Sequence, residues 1–254
     1  MMDVVGLGLT GLRVSPLCYG TGTQGWNQRS NQGDLGHPRL AYLLRFAHDH
    51  GITFWDTADQ YGTHAHVARA LSELDRELVT ITTKTTSRDA NEVRADIERF
   101  LLELKTDYID ILLLHCLTES EWPKRMSAAM EVLSDLKSRG VIRALGCSCH
   151  DFGALQTAAR TPWVDVNLVR LNHAGHSMCA QPPEVIPVIE RMVATGTGVY
   201  GMKVVGGGSE LTDDPERAVR YVLTQSQVHA IVMGMMNEDE IVQNCGLVSE
   251  LMTA

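Results

Sequence analysis

Eight short apolar runs that alternate with amphipathic helical patterns predict a (β/α)8 TIM barrel. A further observation favours it over a doubly wound open sheet. The turn at the end of the first run, C-Y-G-T-G-T-Q, has no helix start directly behind it, as the phosphate turn of an open sheet would. No stretch reads as a linker, so residues 1–254 are expected to form one domain.

The elements follow in order. In residues 4–15 apolar residues alternate around a T-G turn, which predicts an N-terminal β-hairpin. Strand-like runs follow at 17–20, 53–56, 79–83, 109–115, 144–148, 164–171, 198–202 and 230–233. Helical patterns lie between them at 38–50, 65–74, 91–104, 126–138, 184–194, 215–224 and 238–251. The clearest is 91–104, where Val93, Ile97, Phe100, Leu101 and Leu104 share a face, and Asp89 with Glu92 forms a capping-box pattern. The 126–138 pattern ends at Gly140, a C-terminal stop signal.

Bulk properties exclude several functions. A formal charge of −9 argues against a nucleic-acid surface, which needs a basic footprint. No apolar run approaches the roughly 20 residues of a membrane helix, and the start lacks a signal-peptide pattern. Six scattered cysteines form no disulfide framework, so a reduced, cytoplasmic setting is expected. Cys147, Cys149 and His150 lie close together. Adjacent strand residues point to opposite faces and no second cluster completes a site, so no metal is expected.

In a barrel the acting side chains sit at the C-terminal ends of strands. The second run, I-T-F-W-D, ends at Asp56 with Tyr61 five residues later. Taken alone, this is an ordinary strand end with a capping Asp. The third run ends at Lys84 and the fourth at His115, and four such residues on consecutive strands form a coherent set. A phenol has an ordinary pKa near 10 and gives up its proton at neutral pH only if its anion is stabilised. A lysine ammonium beside it does that, an aspartate fixes the lysine, and a histidine orients a carbonyl oxygen. The set suits proton delivery to a carbonyl oxygen as hydride reaches carbon.

F-W-D-T-A-D-Q-Y-G, the K-T after the third run, L-L-L-H and the N-terminal L-G-L-T-G-L-R-V-S-P-L-C-Y-G-T resemble the aldo-keto reductase superfamily. The resemblance implies NADP- or NAD-dependent reduction of a small carbonyl substrate, with Tyr61 as proton donor, Lys84 and Asp56 tuning it and His115 orienting the substrate. It also implies cofactor contacts at Gly20, Thr21, Gly22 and Asp56. For the carboxamide, Ser148 matches the family's Ser-Asn pair, Cys149 replaces its Asn, and Asn167 replaces a Gln, with Asn172 as a second candidate register. The same resemblance implies that Met202 takes the ring-stacking position; Lys203 beside it either faces the pyrophosphate or is a solvated loop lysine, and the 206–208 glycines form either a loop over the cofactor or a turn.

For the final motif the same resemblance implies adenosine-end contacts at Gly234, Met235, Asn237, Glu240, Gln243 and Asn244. A carboxylate at Glu240 repels a 2′-phosphate, so relaxed or NAD preference is expected. Cys116 takes the place of a family Trp, and Trp26 and Trp122 are candidate walls of a substrate pocket left open by short loops. The alternative is a cofactor-sensing regulatory or interaction protein on the same barrel; the intact four-residue set favours the enzyme.

Overall fold

The computed structural model describes residues 2–207 and 209–253, the side chain of Glu210 excepted. Strands β1 (Val5–Gly6) and β2 (Arg13–Val14) pair antiparallel as the expected hairpin. Eight parallel strands then close into a barrel. They are β3 (Leu17–Gly20), β4 (Phe54–Asp56), β5 (Thr80–Thr85), β6 (Ile109–Leu117), β7 (Ile142–Cys149), β8 (Val166–Arg170), β9 (Gly198–Met202) and β10 (Ala230–Gly234), with β10 pairing back onto β3.

The principal helices on the outside are α1 (His37–Asp49), α2 (His64–Leu71), α3 (Ala90–Leu104), α4 (Trp122–Arg125), α5 (Ser127–Ser138), α6 (Phe152–Ala158), α7 (Pro182–Ala194), α8 (Pro215–Gln225) and α9 (Glu238–Thr253). Their starts obey local chemistry. Asp89 accepts from the amides of Asn91 (2.8 Å) and Glu92 (3.3 Å) to begin α3, and Gly140, at φ 77°, ends the segment after α5. Helices α4 and α6 are absent from the sequence reading because each is too short to show a helical period. Asp151 starts α6 by accepting from the Ala154 amide (2.9 Å).

Side chains alternate along every strand, and this parity organises the molecule. Phe54, Ile111, Leu113, Ala144, Val166, Leu168, Tyr200 and Ala230 point inward and fill the lumen, and Leu7, Leu12 and Val14 of the hairpin region pack against them from below. Residues of the opposite parity, such as Trp55, Ile81, Leu112, Leu145 and Val199, pack under the helices. The inward series continues to the C-terminal strand ends at Gly20, Asp56, Lys84, His115, Ser148, Arg170, Met202 and Gly234. Pairing is staggered there: Asp56 lies level with Thr82, and Lys84 level with Leu113. Lys84 and His115 therefore each rise two residues above the preceding partner, as barrel shear requires.

Candidate active site

Asp56 and Lys84 meet in the lumen with Lys84 Nζ 2.6 Å from Asp56 Oδ1, and the ammonium also donates to the Thr57 carbonyl (2.8 Å). Tyr200, from β9 across the barrel, donates its hydroxyl to Asp56 Oδ2 (2.8 Å). Both carboxylate oxygens are thus occupied in a site where Lys84 is fully enclosed. Tyr200 does not appear in the sequence reading. Its inward parity, two residues before Met202, is the signal that marks it.

Tyr61 sits in the turn Asp59–Tyr61, and its ring lies under Lys84 Nζ, 4.8 Å from the ring centroid. The ring fits a slot made by absent side chains: a Cβ on Gly22 or Gly25 would come within 2.2 or 2.4 Å of it. Asp59 anchors the turn through Arg99 (2.7 Å) and Gln28 (3.2 Å). His115 presents its ring edgewise to Tyr61, with centroids 5.7 Å apart.

Burial raises the Tyr61 pKa, and the opposing pull of Lys84 does not reverse it, so the phenol keeps its proton at neutral pH. Burial disfavours the Lys84 ammonium, but Asp56 and Tyr61 outweigh it and hold the lysine charged. His115 is pushed well below the ordinary histidine range by burial and by Lys84, His150 and Arg88, so it is neutral.

A cavity of about 690 Å³ opens above this set, lined by Gly20, Trp26, Asp56, Tyr61, His115, Cys116, His150, Arg170, Met202 and Lys203 among others. The pairing of β6 with β7 shifts between Leu114 and Leu117, and Cys116 takes φ 58° there. This bulge brings Cys116 to the cavity, with its amide donating to Ser148 Oγ (3.0 Å).

Among the lining residues given no cofactor or substrate role from the sequence are His150 and Arg170. Arg170 Nη2 donates to His150 Nδ1 (2.9 Å), and His150 Nε2 lies 3.6 Å from Cys116 Sγ. An arginine only donates, so Nδ1 accepts and the histidine proton sits on Nε2. Burial, then Arg170, Lys203 and Lys84, hold His150 down at about 4.

Several expected contacts do not line the cavity. Asn167 has outward parity on β8, and its Nδ2 donates to the Cys147 carbonyl (3.3 Å) beneath the helices. Cys149 is also outward, with its sulfur 3.8 Å from that of Cys147. Trp122 opens α4 fully enclosed, stacked edgewise on Trp163 and donating to the Ala154 carbonyl (3.4 Å). Asn172, the second register, is buried and spans the loop after β8, donating to the His176 and Lys203 carbonyls (2.8 and 3.1 Å). Trp26 does line the cavity, 6.4 Å from the His115 ring. Thr21 lies below the rim, its hydroxyl donating to the Asp56 carbonyl (3.0 Å).

At the start of α9, Asn237 Oδ1 accepts from the Glu240 amide (2.9 Å). The Glu240 carboxylate in turn accepts from the Met236 amide (2.8 Å) and Asn237 Nδ2 (2.9 Å). This reciprocal cap puts a carboxylate where a helix otherwise offers free amides to an anion. Arg39, the cation beside it, is held by Glu238 through two bonds of 2.8 and 2.6 Å. Met235 is buried and its carbonyl accepts from the Tyr19 hydroxyl (2.6 Å), whereas Gly234 and Gln243 are exposed and Asn244 is half-buried. Gly208 of the 206–208 loop lies outside the described residues; Gly206 and Gly207 form a turn after Lys203.

The family model for the aldo/keto reductase family matches residues 16–217. Among curated relatives, an aldo-keto reductase of Bacillus subtilis, YhdN, is 31% identical over 61% of this chain and 50% of its own length. A D-threo-aldose 1-dehydrogenase of a Pseudomonas species is 24% identical over 83% of this chain and 72% of its own. An NADH-specific methylglyoxal reductase of Escherichia coli is 28% identical over 59% and 53%. The matches to the Bacillus and Escherichia proteins thus span about half of those relatives. A solved structure of a putative aldo-keto reductase from Pseudomonas aeruginosa superposes with a TM-score of 0.81 at 27% identity, covering 98% of this chain and 95% of that one. The match to the family model extends over most of the barrel and takes in Asp56, Tyr61, Lys84 and His115: this chain belongs to the aldo/keto reductase family.

Proposed function

We propose that the protein reduces aldehydes or ketones to alcohols with a nicotinamide cofactor. The observation that carries this reading is the enclosed Asp56–Lys84 pair lying against Tyr61, with His115 across the same cavity mouth. The surrounding residues fit a dinucleotide. Met202 offers a polarisable platform to an aromatic ring. Lys203 offers a half-buried cation with no carboxylate in ion-pair range among the described residues. When bound, the reduced nicotinamide supplies hydride to the carbonyl carbon.

The protein's own groups handle the proton. Tyr61 donates its phenolic proton to the carbonyl oxygen, and neutral His115 orients that oxygen by a hydrogen bond. Lys84 stabilises the phenolate left behind, and Asp56, fixed through both oxygens, holds Lys84 in place. The six unpaired cysteines support action in a reducing compartment such as the cytoplasm.

Glu240 and Glu238 at the start of α9 favour a free 2′-hydroxyl over a 2′-phosphate, so NADH is the preferred donor in this reading. The Escherichia relative, NADH-specific by its name, lies in the same direction. Cofactor titration followed by turnover of an aldehyde panel tests the whole. Binding of reduced cofactor with measurable carbonyl reduction is expected; binding without any turnover contradicts the enzyme reading. NADH should give the higher kcat/KM, and Glu240→Gln should move the ratio toward NADPH by about tenfold, equivalent to about 1.4 kcal/mol. A strong NADPH preference in the wild type would contradict the cofactor assignment alone.

A further inference from the structure

The cavity wall formed by β7, β8 and β9 carries charge that nothing among the described residues neutralises. Arg170 is half-buried and lines the cavity. One of its donors is committed to His150, its Nε is enclosed without a partner, and no carboxylate of the described residues lies in ion-pair range. Lys203 lines the same wall; burial and then the neighbouring Arg170 charge hold its pKa below the ordinary lysine value. Two cations that repel each other, in a protein of formal charge −9, suit a wall that receives an anion.

The position of Arg170 separates it from the rest. Tyr61, His115 and His150 form a row with ring centroids 5.7 and 6.3 Å apart, and Arg170 lies at its far end, hydrogen-bonded to His150. His115, His150 and Arg170 line the same cavity as Tyr61, so a molecule with its carbonyl oxygen between Tyr61 and His115 has the guanidinium on the wall beside it. His150 is neutral and accepts from Arg170, so it aims the guanidinium without cancelling its charge. A planar carboxylate matches a guanidinium fork and receives two parallel hydrogen bonds from it.

We propose that Arg170, aimed by His150, is a carboxylate-recognition subsite, and that the preferred substrate is an oxo acid whose carboxylate lies a few bonds from the reacting carbonyl. This rests on the reductase reading above and names the substrate class of that same site. His150 is a positioning residue in it.

The test compares 4-oxobutanoate with its methyl ester, which keeps the chain and removes the charge. The full-length enzyme is used with NADH, alongside a fluorescence titration of NADH itself. The acid is expected to have at least tenfold the kcat/KM of the ester, chiefly through KM. Arg170→Met should lower kcat/KM for the acid by about 10- to 100-fold, the range for a lost hydrogen bond to a charged group, and lower that for the ester much less. Arg170→Lys should restore part of the preference. A wild-type enzyme that favours the ester overturns the subsite while leaving the reductase reading intact. If Arg170→Met instead weakens NADH binding and lowers both substrates equally, Arg170 serves the cofactor and the proposal fails. If neither compound nor any aldehyde turns over while NADH binds, the reductase reading itself fails.

Discussion

The two halves of the barrel mouth treat charge in opposite ways. On the β3–β6 side, Asp56, Lys84, Tyr61 and the crossing Tyr200 hydroxyl form a closed set in which the buried charges answer each other at 2.6–2.8 Å. On the β7–β9 side, Arg170 and Lys203 face a cavity with no carboxylate in range among the described residues. A closed set is preorganised machinery that stays put when ligands come and go. An open set is incomplete until an anion arrives. In the proposed reading, the contrast separates residues that handle the proton from residues that receive anionic groups of the ligands.

The sharpest way to break the contrast is to open the closed half. Lys84→Met leaves the Asp56 carboxylate buried without its cation, and the expected cost is about 3–5 kcal/mol of stability, with carbonyl reduction falling to background. Urea denaturation and steady-state kinetics check both; a variant as stable as the wild type would mean that the pair is not coupled to folding. Tyr200→Phe is a smaller change, because it removes one donor from Asp56 Oδ2 and leaves Lys84 in place. A loss of about 1–3 kcal/mol is expected, together with a lower kcat and little change in cofactor affinity. An unchanged kcat would remove Tyr200 from the positioning set.

The open half shows its effect in pH. Folding holds the His150 pKa down at about 4, below the ordinary value of 6.5. Between those values the unfolded chain binds a proton that the folded protein refuses. Stability therefore falls as pH drops from 6.5 toward 4, by an amount on the order of 1–3 kcal/mol. Melting curves at pH 7 and pH 5 should show the loss, and His150→Gln should reduce it.

Much of the closed half is legible in the sequence because its chemistry ends apolar runs. Asp56 follows F-W, and His115 follows L-L-L, so each stands out against its strand. The open half is hidden by burial on both sides. In V-N-L-V-R, Leu168 faces the lumen while Val169 packs under the helices, so no alternation of apolar and polar residues reveals which face is which. Choosing Asn167 for its amide shifts the parity by one residue, which exchanges inside for outside and passes over Arg170. The positive φ at Cys116 and the closure of Trp122 under α4 depend on tertiary packing, and neither has a local sequence signal.

The central claim is that the Tyr61 phenol delivers the proton, and Tyr61→Phe tests it most directly. The ring, its slot between Gly22 and Gly25 and its contact with Lys84 survive this substitution; only the hydroxyl is lost. The wild-type reduction rate should stay level through neutral pH and fall only on the alkaline side, because burial raises the phenol above its ordinary value of 10. The variant should bind NADH as the wild type does while its kcat for aldehyde reduction falls by about 100- to 10,000-fold, the usual contribution of a general acid. A Tyr61→Phe enzyme that binds cofactor and still reduces aldehydes at near wild-type rate would contradict the account.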